Sequence, residues 1–291
     1  MIVQPSYARI TLALDIIKRL TDGPRSGYHE LGIVKHQVNL HDTIVLEESE
    51  EMEIRCDNPA VPLDSTNICW KAVEMIGRRH NVRPRVRMTL HKSIPVCGGM
   101  AGGSANAATV LDMCNRLWTL GLSQSQLIEY GRELGMDVPF YFVGGTAFDT
   151  EATATLRSIQ TAVSLHFVIV LPGFGVPTKD AYAGIDYAAI GSQQSKTEQM
   201  QRAFANSDAD GVIASMHNDF EQSVFPAYPA LQRIKLELLD KGCHASTMSG
   251  SGSTIVGIAR DHEHACSIAR ELQYRTIIAA SAHHPIGETP S

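Results

Sequence analysis

A glycine-rich segment holds the residue types in this chain best suited to binding a charged ligand. It runs from Ile94 to Leu111 and leads into an alanine-rich helix start at 104–108. The loop contains four closely spaced glycines: Gly98, Gly99, Gly102 and Gly103. Glycine allows close approach to the backbone, and the first N–H groups of a helix attract anions. The pattern predicts a phosphate loop, and a surface loop capped by Ser104 or Asn106 is the alternative.

The two commonest phosphate motifs do not fit this loop. A Walker loop requires lysine directly after its second glycine, but Ser104 follows Gly103. A dinucleotide fingerprint requires glycine two places after the first, and Met100 stands two places after Gly98. A less common type of phosphate loop remains.

Asp137 and the pair Tyr28-His29 are further candidates. Asp137 lies in a short polar gap between a predicted helix that ends near Gly135 and a predicted apolar strand through Phe142. A carboxylate in that place is either a turn residue or a base held beside a ligand. Tyr28 and His29 follow a polar loop, and they are either ligand contacts or ordinary residues at a strand start.

A second glycine-rich loop occupies residues 248–254, directly before a predicted strand that begins at Ile255. Because the loop lies between strands rather than before a helix, it lacks a helix terminus of its own. It either supports a phosphate site built elsewhere or forms a simple hairpin turn.

The remaining pattern predicts an α+β protein. Alternation over residues 9–17 predicts a half-buried strand, and further strands are predicted at 32–38, 43–47, 52–56 and 86–90. Helices are predicted from Ile68, after Ser104 and after Ser123. A weakly patterned stretch at 149–163 divides the chain into domains 1–160 and 161–291. In the second domain, the order of elements predicts an antiparallel sheet with helices on one face.

Composition excludes several classes of function. The net charge of -6 argues against nucleic-acid binding, which requires a concentrated basic surface. The six cysteines contain no CxxC pair, so metal and redox spacings are absent. Since no leader and no long apolar run is visible, we expect a cytoplasmic protein without membrane contact, either a monomer or a homodimer.

Three segments in order resemble the GHMP small-molecule kinases: the strand at 7–12, the loop at 95–108 and the loop at 248–252. Further matching segments span nearly the whole chain, at 26–31, 135–140, 172–178 and 218–221. The resemblance implies the two-domain GHMP kinase fold. Its N-terminal domain would be ribosomal protein S5 domain 2-like, with a left-handed βαβ unit, and its C-terminal domain ferredoxin-like.

The resemblance also implies ATP, Mg²⁺ and an acceptor. The details are most similar to members that phosphorylate a hydroxyl of an isoprenoid precursor carrying a cytidine diphosphate group. The implied catalytic residues are Asp137 and Arg9: Asp137 would accept the proton of the attacking hydroxyl or orient that hydroxyl, with the positive charge of Arg9 beside it. The implied ATP-binding residues are Pro95, Gly98, Gly99, Ala101, Gly102, Gly103 and Ser104, of which Ser104 would also help to orient Mg²⁺. The implied substrate-binding residues are Thr11, Tyr28, His29, Asp137, Thr178, Gly250, Ser251 and Gly252.

Four positions depart from the usual family pattern. Arg9 stands in place of lysine, Thr11 in place of asparagine, Ala101 in place of glycine and Ala105 in place of serine. Two interpretations therefore stay open: an active, diverged kinase, or a paralogue that binds the ligand with little transfer. A kinase for another small alcohol shares the chemistry but would have no cytosine for Tyr28 and His29.

Overall fold

The computed structural model describes residues 1–23, 25–96, 98–150, 153, 155–187 and 190–286. Cys97 of the glycine loop, residues 151, 152 and 154 of the predicted boundary stretch and residues 287–291 lie outside these ranges. None of the described helices has the length and apolar composition needed to cross a bilayer.

The first half of the chain alternates strands with helices. In order, its described elements are β1 (Ile2–Arg19), β2 (His29–Glu48), β3 (Glu53–Cys56), α1 (Ile68–Arg79), β4 (Val86–His91), α2 (Gly102–Leu117), α3 (Gln124–Leu134), α4 (Phe140–Val143), β5 (Thr146–Asp149) and β6 (Leu156–Ile159). The helices predicted from Ile68 and after Ser123 are confirmed, and the side chains of Asn67 and Ser123 cap them by accepting N–H groups of α1 and α3. The predicted strands at 32–38 and 43–47 are one continuous strand, β2.

The second half adds most of its helices before its last strands. Its described elements are β7 (His166–Leu171), α5 (Thr178–Ala183), α6 (Gln194–Ala205), α7 (Ala209–Ala214), β8 (His217–Asn218), α8 (Glu221–Ala227), α9 (Pro229–Asp240), β9 (Ala245–Met248), β10 (Ile255–Ala259), α10 (His262–Glu271) and β11 (Arg275–Ala280).

Two sheets organise these elements. The first has the order β3-β4-β2-β1-β8, and β5 pairs with both β2 and β6. Strands β3 and β4 are parallel and are joined through α1, which makes a βαβ unit whose handedness stays a prediction. The second sheet has the order β11-β7-β10-β9, with all of these pairs antiparallel. That order is ferredoxin-like, so the predicted α+β class and C-terminal topology are confirmed.

The two halves share structure across the predicted boundary at 160/161. Strand β8, from the second half, pairs in parallel with β1. One hydrophobic cluster also combines Ile10 and Leu12 of β1 with Phe167, Phe204 and Val256. The boundary therefore stays a prediction, because the packing continues across it.

The half-buried character predicted for β1 is wrong. Both sets of alternating side chains are buried, including Arg9, Thr11 and Asp15 on the set predicted to face solvent. Helices α2 and α6 both pack on this strand. The polar side chains are tolerated because they have partners: Asp15 contacts His217, and Arg9 contacts Asp137.

The apolar strand predicted through Phe142 is also wrong, because Phe140–Val143 forms the short helix α4. The N–H groups of Phe140, Tyr141 and Phe142 bond to carbonyl oxygens three residues earlier. All three side chains are buried. Periodicity cannot distinguish strand from helix in so short an apolar run.

His36 predicts a loss of stability in acid. Its buried ring bonds to the Thr146 and Ser281 hydroxyls, and burial lowers the pKa of His36 to about 4. Below the ordinary histidine pKa, the unfolded chain binds a proton that the folded chain does not. The free energy of unfolding should therefore fall by about 2 kcal/mol between pH 7 and 5. Urea titrations of wild type and His36→Gln at several pH values test this, because the variant should lose that pH dependence. An equal change of the free energy of unfolding with pH in both proteins would contradict it.

Candidate active site

The glycine loop and the start of α2 form one wall of a cleft. Helix α2 begins at Gly102, and its N-cap residue, Ala101, has a left-handed backbone with φ of 51°. No side-chain hydrogen bond caps this end, so the predicted cap by Ser104 or Asn106 is wrong. The first N–H groups of α2 therefore remain open to an anion at the positive end of the helix dipole.

The second glycine-rich loop packs directly on the first. A Cβ atom on Gly99, whose φ is +70°, would lie 2.5 Å from the carbonyl oxygen of Ser249. The Ser249 hydroxyl donates to the Gly99 carbonyl oxygen at 3.0 Å, and Arg9 donates to the same oxygen at 2.9 Å. Only glycine fits this approach without strain. The loop at 248–254 therefore connects the antiparallel strands β9 and β10 as a hairpin and also packs on the glycine loop, while its part in a phosphate site stays a prediction.

Asn218 fixes the shape of this second loop. Its side-chain N–H groups donate to the carbonyl oxygens of Met248 at 2.6 Å and Gly250 at 2.8 Å. Glu221 accepts the backbone N–H of Met248 at 2.8 Å. These contacts fix the backbone of the loop, and Gly250, Ser251 and Gly252 line the cleft.

Asp137 lies on the cleft between two cationic side chains. Arg9 donates to both carboxylate oxygens, with Nη2 at 2.7 Å from Oδ2 and Nε at 3.2 Å from Oδ1. Lys35 of β2 places its Nζ atom 2.8 Å from Oδ1. Burial raises the pKa of Asp137, but the charges of Arg9 and Lys35 lower it by more, so the net pKa lies well below the usual value. An ionised carboxylate so fixed can orient a hydroxyl and accept its proton as a new bond forms.

A second buried network supports the start of the glycine loop. Asp42 accepts the backbone N–H groups of Ser93 and Ile94, each at 2.8 Å. Lys92 is paired with Asp42 and donates to Asn106 at 2.9 Å. Lys92 also lines the cleft, so its ammonium group lies beside the open end of α2.

The cleft has a volume of about 830 Å³. Its charged lining residues, among those described, are Arg9, Lys92 and Asp137. One part of the lining is apolar and includes Val61, Ile68 and Leu90. This combination suits a nucleoside triphosphate: the cationic groups and exposed helix N–H groups suit its phosphates, and the apolar surface suits its base.

Most of the predicted site residues meet at this cleft. Those that line it are Arg9, Pro95, Gly98, Gly99, Ala101, Gly102, Gly103, Asp137, Thr178, Gly250, Ser251 and Gly252. Two others lie close by without being among the lining residues. Ser104 is the third residue of α2, and Thr11 is buried beneath the site, where it accepts a hydrogen bond from Arg9 at 3.1 Å.

Tyr28 and His29 are not part of this cleft. The Tyr28 side chain is 53% exposed, whereas the His29 ring stacks on Tyr182 with centroids 4.7 Å apart. Partial burial, followed by the charge of Arg19, lowers the pKa of His29. Tyr182 lies four residues after Thr178 on α5, about 6 Å further along the helix axis. Helix α5 thus leads from the cleft to the His29 ring.

Family models match both halves of the chain. The model of the GHMP kinases N terminal domain matches residues 67–145, which contain the glycine loop and Asp137. The model described as GHMP kinases C terminal matches residues 200–276, which contain the second loop. Together they cover more than half of the sequence. The chain belongs to the GHMP kinase family.

Similar proteins of established name agree with this assignment. This GHMP kinase is 36% identical over 273 residues to the 4-diphosphocytidyl-2-C-methyl-D-erythritol kinase of Moorella thermoacetica, with 92% of this chain and 94% of the relative covered. The protein of the same name from Alkaliphilus metalliredigens is 34% identical over 269 residues, with 92% and 91% covered.

Solved structures confirm the fold. A crystal structure of 4-(cytidine 5′-diphospho)-2C-methyl-D-erythritol kinase superposes with a TM-score of 0.81 at 25% identity, covering 97% of this kinase and 100% of that chain. A homoserine kinase from Cytophaga hutchinsonii gives a TM-score of 0.75 at 18% identity, covering 98% and 96%. The second likeness concerns the fold alone.

Sequence reasoning missed three residues that the structure places at or beside the site. Lys92 precedes the glycine loop by only three residues, so a cation next to a phosphate loop was a usable signal. Tyr182 and Lys35 gave no such signal. Tyr182 meets His29, and Lys35 meets Asp137, through long-range packing that no local pattern encodes.

Proposed function

We propose that this GHMP kinase transfers the γ-phosphoryl group of ATP to a hydroxyl of 4-diphosphocytidyl-2-C-methyl-D-erythritol, a step of isoprenoid precursor synthesis. The observation that carries the proposal is Asp137, fixed by Arg9 and Lys35 on the same cleft as the uncapped start of α2. The acceptor is inferred from relatives at 34–36% identity that bear this name and match over nine tenths of the chain.

The cleft offers ATP two kinds of surface. The phosphates would bind the N–H groups at the start of α2, beside the Lys92 ammonium group. The adenine ring would occupy the apolar part of the lining, near Val61, Ile68 and Leu90. The γ-phosphate would then lie between the two glycine-rich loops, close to Asp137.

Magnesium is expected to arrive bound to ATP. Among the described residues, no group of three or more histidine, cysteine or acidic side chains is arranged to hold a metal ion. Mg²⁺ does not require such a group, because it commonly binds through substrate phosphates and water with few protein ligands. The Ser104 hydroxyl, on the first turn of α2, is the protein group predicted to orient it.

The acceptor would extend from Asp137 along α5. Its hydroxyl would bind the Asp137 carboxylate and attack the γ-phosphorus, so that the new O–P bond forms as the bond to ADP breaks and Asp137 receives the proton. The diphosphate would pass Thr178 and Ser251, whose hydroxyl oxygens lie 3.3 Å apart. The cytosine would reach His29 and Tyr182, with Tyr28 closing over it from its exposed position.

The test is release of ADP by purified protein with ATP, Mg²⁺ and 4-diphosphocytidyl-2-C-methyl-D-erythritol. Turnover that depends on this acceptor supports the proposal. Homoserine and mevalonate are the comparison acceptors, and preference for either would replace the proposed substrate. Saturable binding of a cytidine nucleotide without any turnover would instead identify a ligand-binding paralogue.

Replacing Tyr182 should weaken the cytidyl substrate selectively. Tyr182→Leu keeps the packing on Phe220 but removes the aromatic face beside His29. Since stacking of a base on an aromatic ring contributes about 1–3 kcal/mol, KM for the acceptor should rise by about 5- to 150-fold, with KM for ATP unchanged. Steady-state kinetics measure both constants.

The matched control is Tyr130→Leu, which removes a tyrosine beside His80, away from the cleft. It should leave both KM values unchanged. An equal rise of both constants in Tyr182→Leu would mean that Tyr182 serves only packing.

A further inference from the structure

A lysine lies buried behind the carboxylate of Asp137. Lys35 is fully buried in the middle of β2, yet its Nζ atom lies 2.8 Å from Asp137 Oδ1 and 2.7 Å from Asp149 Oδ2. A buried ammonium group is very unfavourable unless carboxylates or other acceptors compensate it. The chain therefore retains this cation at a considerable cost in desolvation, which a residue used only for packing would avoid.

The sheet explains how Lys35 reaches both carboxylates. On β2, Lys35 is paired with Thr11 of β1 on one side and with Ala147 of β5 on the other. Asp149 is two residues beyond Ala147, so it faces the same side of the sheet as Lys35. Asp149 is buried, whereas Asp137 faces the cleft. Lys35 thus connects a carboxylate inside the sheet to the one at the site.

The contacts of Asp137 leave its two oxygens unequal. Oδ1 accepts from both Arg9 Nε and Lys35 Nζ, whereas Oδ2 accepts from Arg9 Nη2. A carboxylate oxygen offers about two acceptor positions. Among the contacts of the described residues, Oδ1 is therefore filled, and Oδ2 keeps a position for a further donor such as an acceptor hydroxyl.

We propose that Lys35 is a positioning residue for phosphoryl transfer: by holding Oδ1 it keeps Asp137 ionised and presents Oδ2 to the acceptor hydroxyl. Asp149 holds Lys35 in place from the opposite side. This inference rests on the proposed function for its kinetic consequence, but the state of Asp137 itself is measurable without turnover.

The ionisable groups around Asp137 come from four elements. Arg9 faces it from β1, Lys35 from β2 and Tyr141 from α4, while Asp149 of β5 acts through Lys35. The two cations lower the pKa of Asp137, and burial opposes them. Removal of the Lys35 charge therefore raises this pKa, and the acidic limb of the rate profile moves to higher pH.

Two variants separate positioning from packing. Lys35→Met alone would leave Asp149 buried without its ammonium partner, so the main variant is Lys35→Met combined with Asp149→Leu, which removes both charges. Arg116→Met combined with Asp112→Leu is the control, because it also removes an ion pair with a buried carboxylate, but neither residue lines the cleft.

In the double variant, we expect kcat to fall by on the order of 10²-fold, because Oδ1 of Asp137 loses one of its two donors and Arg9 alone positions the carboxylate less precisely. Both KM values should stay within about twofold, since Lys35 does not line the cleft. The acidic limb should move to higher pH, and the control, Arg116→Met with Asp112→Leu, should resemble wild type in all of these respects. A double variant with the kcat and pH profile of wild type would overturn the proposal, as would equal losses in both variants.

The Asp137 carboxyl can also be titrated directly by ¹³C NMR, with Asp137→Asn assigning its signal. In the double variant this carboxyl should titrate at higher pH than in wild type, and an unchanged titration would refute the role of Lys35. If wild type showed no turnover, the proposed substrate would be wrong, but the titration would still test the role of Lys35. Failure of the proposed function and failure of this inference are therefore distinguishable.

Discussion

Asp137→Asn should reduce phosphoryl transfer by on the order of 10³-fold, while affinity for ATP changes little. The amide keeps the size of the carboxylate but neither orients an attacking hydroxyl through a negative charge nor accepts its proton. ATP binding should persist because the contact of Arg9 with the Gly99 carbonyl oxygen does not require Asp137. Single-turnover rates and calorimetric ATP titrations measure the two quantities separately.

Asp112→Asn is a suitable control for this result. Asp112 is also a buried carboxylate, but it is paired with Arg116 and does not line the cleft. Its variant should transfer phosphate at nearly the wild-type rate. Full activity of Asp137→Asn would remove Asp137 from the mechanism, and a large loss in both variants would indicate a general effect of removing a buried charge.

Gly99→Ala should weaken ATP binding at least about tenfold, because the new methyl group would meet the Ser249 carbonyl oxygen at 2.5 Å. The glycine loop would have to move away from the second loop, and the phosphate site between them would widen. The left-handed backbone at Gly99 adds about 1–2 kcal/mol of strain for any L-residue. Calorimetry with ATP and thermal unfolding measure both effects.

Gly121 provides a matched control, since its φ of +67° is nearly that of Gly99, at +70°, yet a Cβ atom there has no neighbour within 4 Å. Gly121→Ala should carry the backbone strain without any loss of ATP affinity. If the two variants bound ATP equally well, contact between the glycine-rich loops would have no part in nucleotide binding.

Features encoded locally were predictable from the sequence. The glycine loop, the helix after it and the caps at Asn67 and Ser123 follow from residue types at short spacing. The resemblance then placed Asp137 and the loop at 248–254 near that helix. Both lie at the cleft because the order of the motifs along the chain carries information that each motif alone lacks.

Features that depend on distant packing were not predictable. Lys35 stands within strand β2 without any local motif, and its partner Asp149 is 114 residues away in sequence. The burial of both faces of β1 likewise arises from helices on distant parts of the chain. The departure at position 9 was visible in sequence, but only the structure reveals a second cation, Lys35, on Asp137.

The Gly99 carbonyl oxygen joins the N-terminal and C-terminal halves of the molecule. It receives Arg9 from β1 and Ser249 from the second loop, while Ser249 also accepts the Thr11 N–H group. In a chimaera that exchanged residues 200–276 between relatives, Ser249 would come from one parent, and Arg9, Thr11 and Gly99 would come from the other. Successful recombination should therefore favour parents that match at Ser249 and at Asn218, which shapes the second loop.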